Sequence, residues 1–179
     1  TMAESKLNNG QSLLGFNDLF IGTRSHVSAR YDIALGDRQE FQSSSGIIVS
    51  TGAGSTGWLQ SIYAGASSVV KALGGHVIEP VNSGRLPWDT AELIYTVREP
   101  FPSKVTGTQL TFGVIDKHHP LTITSHMTDN GMIFSDGIEA DYLSFNSGAT
   151  ATICVADKKA NILSGQTLST PEVDNEYLN

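Results

Sequence analysis

The stretch that decides the fold is Gly46-Ile47-Ile48-Val49-Ser50-Thr51-Gly52-Ala53-Gly54-Ser55-Thr56-Gly57-Trp58. It begins as a short apolar strand, continues as a glycine-rich turn and ends where a helix starts. Such a turn places free backbone N–H groups at the positive end of the helix dipole, with the hydroxyls of Ser55 and Thr56 at its mouth. This chemistry suits a phosphate or a ribose hydroxyl. Glycines in a tight turn also serve the backbone alone, because they adopt positive φ, so a purely structural interpretation stands beside the ligand-binding one.

The helix after the turn is predicted from one stripe of apolar residues with a period near 3.6. The stripe consists of Leu59, Ile62, Tyr63, Ala66, Val69, Val70 and Leu73. Gly74-Gly75 follows the stripe and predicts a left-handed cap at the helix C-terminus.

The turn also matches a dinucleotide-binding fingerprint, Gly52-x-Gly54-x-x-Gly57. Glu79 lies about twenty residues further on, where a ribose-binding acid is expected in a Rossmann fold. That fold requires βαβ units, however, and the rest of the chain contains short strands without helices between them. The Rossmann interpretation therefore ranks second among the ligand-binding interpretations.

Outside the helix the chain contains roughly ten short strands at hairpin spacing, which predicts a mainly β, sandwich-like fold. One hairpin joins residues 26–35 to 38–43 at Gly36-Asp37, and another joins 131–134 to 138–145 at Ser135-Asp136-Gly137. Residues 108–115 and 121–125 are predicted to pair with each other. Further strands are predicted at residues 19–21, 91–97, 149–155 and 160–163.

Three parts are predicted along the chain. Residues 1–12 are polar and have no period, which indicates a loose N-terminal segment. Residues 13–165 form a single β domain, and residues 166–179 form a tail.

Composition excludes several classes of protein. A net charge of −7 argues against a nucleic-acid partner or an anionic membrane surface. The single cysteine, Cys154, excludes an internal disulfide and a cysteine-based metal cluster within one chain. No apolar run approaches the length of a membrane span and nothing resembles a signal peptide, so a cytoplasmic location is expected.

These features resemble the second, β-rich domain of the ATP-dependent NAD kinases over about residues 13–163. The family has a strand followed by Thr-x-x-Gly-Ser/Thr-Thr-Ala-Tyr, which residues 51–58 match apart from Gly57 and Trp58. An Asn-Glu pair opens an upstream strand in the family, and Asn17-Asp18 stands there in this chain. The family also has a late Asp-Gly hairpin, which Asp136-Gly137 resembles.

The resemblance implies phosphoryl transfer from ATP, with Mg²⁺, to the 2′-hydroxyl of NAD, giving NADP. It also implies a substrate-binding set formed by Asn17, Asp18, Thr51, Gly54, Ser55, Thr56, Gly57 and Trp58, with Ser45 and Asp136 as further candidates. A homodimer or homotetramer is implied as well.

Several departures from the family pattern leave alternatives open. Ser45 stands where many members have an aspartate, and Asp18 is shorter than the usual glutamate. The Gly-Gly-Asp-Gly motif, whose aspartate is the expected catalytic base in the family, does not occur in these 179 residues. No catalytic residue is therefore predicted in this chain. The alternatives are the equivalent domain of a related lipid or sugar kinase, and a non-catalytic nucleotide-binding or assembly domain.

Overall fold

The computed structural model describes residues 1–77 and 84–161, and over these residues the chain is mainly β with one main helix. Two antiparallel six-stranded sheets pack face to face. The first has the order β2-β1-β12-β9-β4-β5 and the second the order β11-β10-β3-β6-β7-β8. In chain order the strands are β1 Ala3–Leu7, β2 Ser12–Gly15, β3 Asp18–Thr23, β4 Ala29–Leu35, β5 Arg38–Ser44, β6 Ile47–Ser50, β7 Leu93–Val97, β8 Phe112–Ile115, β9 Leu121–Ser125, β10 Gly131–Ser135, β11 Tyr142–Ser144 and β12 Thr150–Val155.

The main core lies between the two sheets. Strand β4 shows the pattern that builds it, because Ala29, Tyr31 and Ile33 are fully buried while Arg30 and Asp32 between them point outward. From the opposite sheet, Leu19 and Ile21 of β3 belong to the same buried cluster. The antiparallel sheets and the alternation confirm the predicted fold class and rule out a Rossmann fold in the described residues.

A smaller apolar layer covers the outer face of the second sheet. Phe20, Ile48, Met132 and Phe134 form this cluster, against which two helix residues, Trp58 and Ile62, are packed. The helix, α1 Trp58–Ala72, follows a 3₁₀ turn at Ala53–Thr56.

Helix α1 ends as predicted, in a left-handed glycine cap. Gly74 has a φ of +79°, and its N–H donates to the carbonyl of Lys71. The N–H of Gly75 donates to the carbonyl of Val70, which completes a Schellman motif. Only the first turns of the apolar stripe reach the sheet: Leu59 is fully buried, but Leu73 is 83% exposed.

The prediction of a loose N-terminal segment is wrong for residues 3–7. These form β1, which lies between β2 and β12 in the first sheet, and Ala3 and Leu7 enter the main core. The alternation in Ala-Glu-Ser-Lys-Leu is that of a strand with one buried face. Its buried centre is the small polar residue Ser5, so its hydrophobic signal is weak.

The predicted pairing of residues 108–115 with 121–125 is also wrong. Strand β8 pairs with β7 in the second sheet, whereas β9 pairs with β4 and β12 in the first. The segment between them therefore crosses from one sheet to the other. The predicted β4–β5 hairpin is confirmed. The second predicted hairpin is confirmed as the pairing of β10 with β11, although β11 begins at Tyr142 and not at residue 138.

The predicted tail, residues 166–179, and the second half of the predicted strand 160–163 lie outside the described residues, and residues 160–161 belong to no strand. Within the described residues, no helix combines the length and apolar character that a membrane crossing requires.

Candidate functional site

A cleft of about 430 Å³ lies where β3 begins, β10 ends and α1 starts. It is lined by Asn17, Asp18, Ala53, Gly54, Thr56, Gly57, Trp58, Asp136 and Gly137. Most of the residues predicted to bind a substrate therefore line one cleft, although they come from three separate parts of the chain.

Asp136 holds the entrance to β3 in place. Its carboxylate accepts hydrogen bonds from the backbone N–H groups of Phe16 (2.9 Å), Asn17 (2.5 Å) and Asp18 (3.3 Å). The N–H of Asp136 in turn donates to the carbonyl of Asp18. Asp136 therefore positions Asn17 and Asp18 at the edge of the cleft, and its carboxylate is occupied by the backbone.

The turn at Asp136 also has the backbone geometry that its sequence predicts. Asp136 and Gly137 both have positive φ, +54° and +73°, and the N–H of Ile138 donates to the carbonyl of Ser135. These are the features of a type I′ turn. Asp136 thus adopts the backbone conformation that the turn requires, and its carboxylate also holds the start of β3.

The carboxyl group of Asp18 sits in an environment that opposes its charge. Burial raises the pKa of Asp18, and the nearby carboxylate of Asp136 raises it further. A carboxylate that is poorly solvated in the free protein gains most from donors that a ligand brings. Asp18 is therefore suited to accept hydrogen bonds from hydroxyl groups.

Two of the predicted residues, Thr51 and Ser55, are absent from the lining of the cleft. The hydroxyl of Thr51 donates to the carbonyls of Phe16 and Asn17 and accepts from the N–H of Gly54. The hydroxyl of Ser55 donates to the carbonyl of Gly52 and accepts from the N–H of Leu86. Both residues are buried, and their hydroxyls shape the turn from inside.

Close approach of other backbone segments explains two of the three glycines in the turn. A Cβ on Gly54 would lie 2.0 Å from the carbonyl oxygen of Asn17, and one on Gly52 would lie 2.0 Å from that of Pro87. Gly52 has a φ of −58° and Gly57 a φ of −99°, so positive φ is not the reason for either. At Gly57 a Cβ would meet only the carbonyl oxygen of Gly54 at 3.4 Å, which is an ordinary contact.

The start of α1 faces the cleft without a side-chain cap. Gly57 is the N-cap residue, no side chain bonds the first N–H groups, and no acidic residue lies in the first turn. The exposed Thr56 lines the cleft beside these groups. The positive end of the helix dipole is thus available to an anionic or hydroxyl-bearing ligand.

Trp58 closes one side of the cleft and belongs to the outer apolar layer at the same time. Its ring stacks parallel to that of Phe20 with centroids 5.9 Å apart, and the guanidinium of Arg98 lies 5.3 Å from its centroid. From sequence alone, a surface role for Arg98 beside the proline segment is favoured over contact with a phosphate. Arg98 follows β7, whose pairing with β6 places it near the start of β6, where its N–H donates to the carbonyl of Gly46.

Ser45, the other further candidate, does not line the cleft; it is exposed, and its N–H donates to the carbonyl of Arg98. In the described part of the chain no group of three or more His, Cys, Asp or Glu residues is arranged to hold a metal ion.

Two lining residues, Ala53 and Gly137, were not predicted. Ala53 lies within the glycine-rich stretch, and Gly137 follows Asp136 in the Asp-Gly turn. Both motifs are identified from sequence, but these two residues are not in the predicted substrate-binding set. Ala53 and Gly137 carry no polar side-chain group, so they contribute only to the shape of the cleft.

Comparisons with known proteins connect this geometry to one type of fold. No protein-family profile matches the chain, and no curated protein sequence matches it. Among solved structures, the chain is similar to yeast NADH kinase crystallised with NADH, with a TM-score of 0.57 and 14% sequence identity. The match covers 86% of this chain and 39% of the yeast chain. At this identity the similarity shows a shared fold: the chain has an NAD kinase-like β domain.

Proposed function

We propose that this chain is the nucleotide-binding β domain of an NAD kinase-like phosphotransferase, and that its cleft takes the ribose of NAD or NADH. The observation that carries the proposal is the convergence of Asp18, Asn17 and the uncapped start of α1 on one cleft. The similar fold of yeast NADH kinase, which was crystallised with NADH, supports the same ligand class.

The chemistry of the cleft matches the polar parts of a dinucleotide. The carboxylate of Asp18 accepts hydrogen bonds from two vicinal hydroxyls, which a neutral side chain does less well. The amide of Asn17 can both donate and accept beside it. The start of α1 favours a phosphate, and the ring of Trp58 offers a face for a base or nicotinamide.

The transfer step needs groups that these residues do not provide. ATP and Mg²⁺ belong to the proposed reaction, but these 179 residues contain no Gly-Gly-Asp-Gly motif, whose aspartate is the expected base. Phosphoryl transfer depends chiefly on positioning and charge stabilisation, so this domain would contribute by orienting the acceptor hydroxyl. We therefore expect the chain alone to bind and not to turn over.

Calorimetric titration with NAD, NADH, NADP and ATP tests the proposal. We expect at least one dinucleotide to bind, and Asn17→Ala and Asp18→Asn each to weaken binding about tenfold, since each removes hydrogen bonds to the ligand. Asp37→Asn is the matched control, because Asp37 lies exposed in the β4–β5 turn. Dinucleotide binding that survives both cleft substitutions would contradict the proposal.

The same titration addresses the alternatives. Binding of a lipid or sugar alcohol in place of any dinucleotide would favour the equivalent domain of a related kinase. Dinucleotide binding by a full-length protein that also lacks a Gly-Gly-Asp-Gly domain would favour a non-catalytic sensing or assembly role.

We also propose that the chain assembles into a homodimer or homotetramer. An apolar patch, formed by Val69, Val70 and Leu73 of α1 and Phe112 and Val114 of β8, supports assembly because all five side chains are exposed. The ring of Tyr63 lies 6.1 Å from that of Phe112, so α1 and the edge strand β8 are neighbours. Strand β8 also ends its sheet and has a free pairing edge among the described residues.

A further inference from the structure

A second cleft, of about 360 Å³, lies between two connections of the sandwich. One wall comes from the end of β3, the β3–β4 connection and the start of β4, and the other comes from residues 126–130 between β9 and β10. None of its lining residues lines the first cleft. It is therefore a separate site, and an inference about it does not depend on the proposed function.

The walls of this second cleft are held in place by their own hydrogen bonds. The hydroxyl of Thr23 donates to the carbonyls of Ser25 (2.9 Å) and Val27 (2.6 Å), which fixes the β3–β4 connection. The N–H of Arg24 donates to the carbonyl of Asn130, which ties one wall to the other. A cleft with its walls already fixed loses little conformational freedom when a ligand enters.

Arg30 and His126 both line this cleft. The N–H of His126 donates to the carbonyl of Arg30, so the two residues are neighbours. The imidazole Nε2 lies 2.6 Å from a carboxylate oxygen of Asp32, and the ring meets Phe41 edge-on with centroids 5.3 Å apart. These contacts fix the orientation of the ring and leave its Nδ1 without a partner in the described residues.

Arg30 is the principal charge available to a ligand here. It is exposed on the outer face of β4, and its guanidinium makes no ion pair or hydrogen bond within residues 1–77 and 84–161. Asp32, two residues further along the same face, is already paired with His126. A guanidinium in this position can bind a phosphate through two parallel N–H donors.

The remaining polar lining suits hydroxyl groups. The side chains of Ser25, Ser28, Thr128 and Asn130 line the cleft and make no hydrogen bond among the described residues. The carboxylate of Asp129 lines it as well, and it would repel a ligand that is anionic throughout. It would accept hydrogen bonds from a sugar. The lining thus combines a cationic end with a hydroxyl-binding end.

We propose that this second cleft binds a sugar phosphate, with the phosphate on Arg30 and the sugar hydroxyls on Asp129 and the neighbouring hydroxyl and amide side chains, beside the ring of His126. The volume of about 360 Å³ is at the small end of ligand pockets, which favours a single phosphorylated sugar over a larger molecule.

Titration of the protein with ribose 5-phosphate tests this proposal, with ribose and inorganic phosphate as partial ligands. We expect saturable binding of the sugar phosphate that is tighter than that of either part, and about tenfold weaker binding to Arg30→Ala. Arg85→Ala removes an exposed arginine outside the cleft and should leave binding unchanged. Thermal unfolding followed by circular dichroism establishes that each variant is folded.

Asp18→Asn distinguishes the two clefts. It should leave ribose 5-phosphate binding unchanged if the second cleft is the site. Dinucleotide binding by the wild-type protein tests only the first cleft, so either proposal can fail without the other. The proposal is overturned if ribose 5-phosphate does not bind, if Arg30→Ala binds it as well as the wild type does, or if Asp18→Asn abolishes its binding. Equal affinity for inorganic phosphate would overturn the assignment to a sugar phosphate.

Discussion

At the scale of single residues, Asp18 and Asp136 show two opposite uses of a carboxylate within one cleft. Asp136 accepts three backbone N–H groups and thereby stabilises the start of β3. Asp18 has a raised pKa because burial and the charge of Asp136 both disfavour its ionised form. Asp136 therefore stabilises the folded protein, whereas the ionised carboxylate of Asp18 destabilises it.

The raised pKa of Asp18 determines how its ionisation changes the free energy of unfolding. A raised pKa in the folded chain means that ionisation of Asp18 favours the unfolded chain. The penalty is absent well below the ordinary aspartate pKa of about 3.9 and is complete once the pH exceeds the raised folded value.

We therefore predict that Asp18→Asn stabilises the protein at pH 7 while it weakens ligand binding. A rise in Tm of about 2 °C is expected for a domain of this size, and the difference should disappear as the pH falls below about 4. Thermal unfolding at several pH values measures it, with Asp37→Asn as the exposed control. A Tm at pH 7 that is unchanged or lower would contradict the role assigned to Asp18.

At the scale of elements, the turn before α1 is constrained more by its neighbours than by its own dihedral angles. Gly54 lies against the backbone of Asn17, and Gly65 in the middle of α1 has open space where a Cβ would be. The two glycines belong to neighbouring elements, and the same substitution should affect them in opposite directions.

We predict that Gly54→Ala destabilises the protein by about 1–3 kcal/mol, because the added methyl group would collide with a backbone carbonyl that cannot move aside. Gly65→Ala should stabilise it by about 0.5–1 kcal/mol, because alanine is the better helix former at an open site. Urea unfolding of both variants provides the comparison. Equal effects at the two positions would show that the close approach of Asn17 does not constrain the turn.

The elements that could be predicted from sequence are those whose signals are local. The helix, its glycine cap and the β4–β5 hairpin depend on residues next to each other in the chain, and the structure confirms all three. The pairing of β8 could not be predicted from local signals. Strands β8 and β9 belong to different sheets, and their partners are distant in sequence. Strand β1 was missed because Ser5 occupies a buried position.

The candidate site likewise combines features with local sequence signals and features that depend on distant residues. The motifs identified most of the residues around the first cleft, since each motif is contiguous. The positions of the Thr51 and Ser55 hydroxyls inside the turn could not be predicted, because their partners at Phe16, Asn17 and Leu86 are distant in sequence.

At the scale of the whole molecule, the exposed end of α1 bears on assembly. The helix leaves the sheet after its first turns, and Leu73 is 83% exposed next to Val69 and Val70. A monomer would present these side chains to water together with Phe112 and Val114 of β8.

We predict that Leu73→Glu shifts the protein toward the monomer without lowering its thermal stability, because the side chain makes little contact within the chain. Multi-angle light scattering over a range of concentrations measures the change. Val27→Glu alters an exposed valine outside the apolar patch and serves as the control. A wild-type protein that remains monomeric at high concentration would contradict the proposed assembly.

The position of β1 in the first sheet has a consequence for synthesis of the protein on the ribosome. Ala3 pairs with Val155, so β1 leaves the ribosome well before β12, the strand that completes its pairing. At translation rates of about 5–20 residues per second, this delay is on the order of ten seconds. During that time β1 can pair only with β2, and the edge that later receives β12 is open to other chains. The nascent protein is therefore expected to need protection by chaperones until β12 emerges.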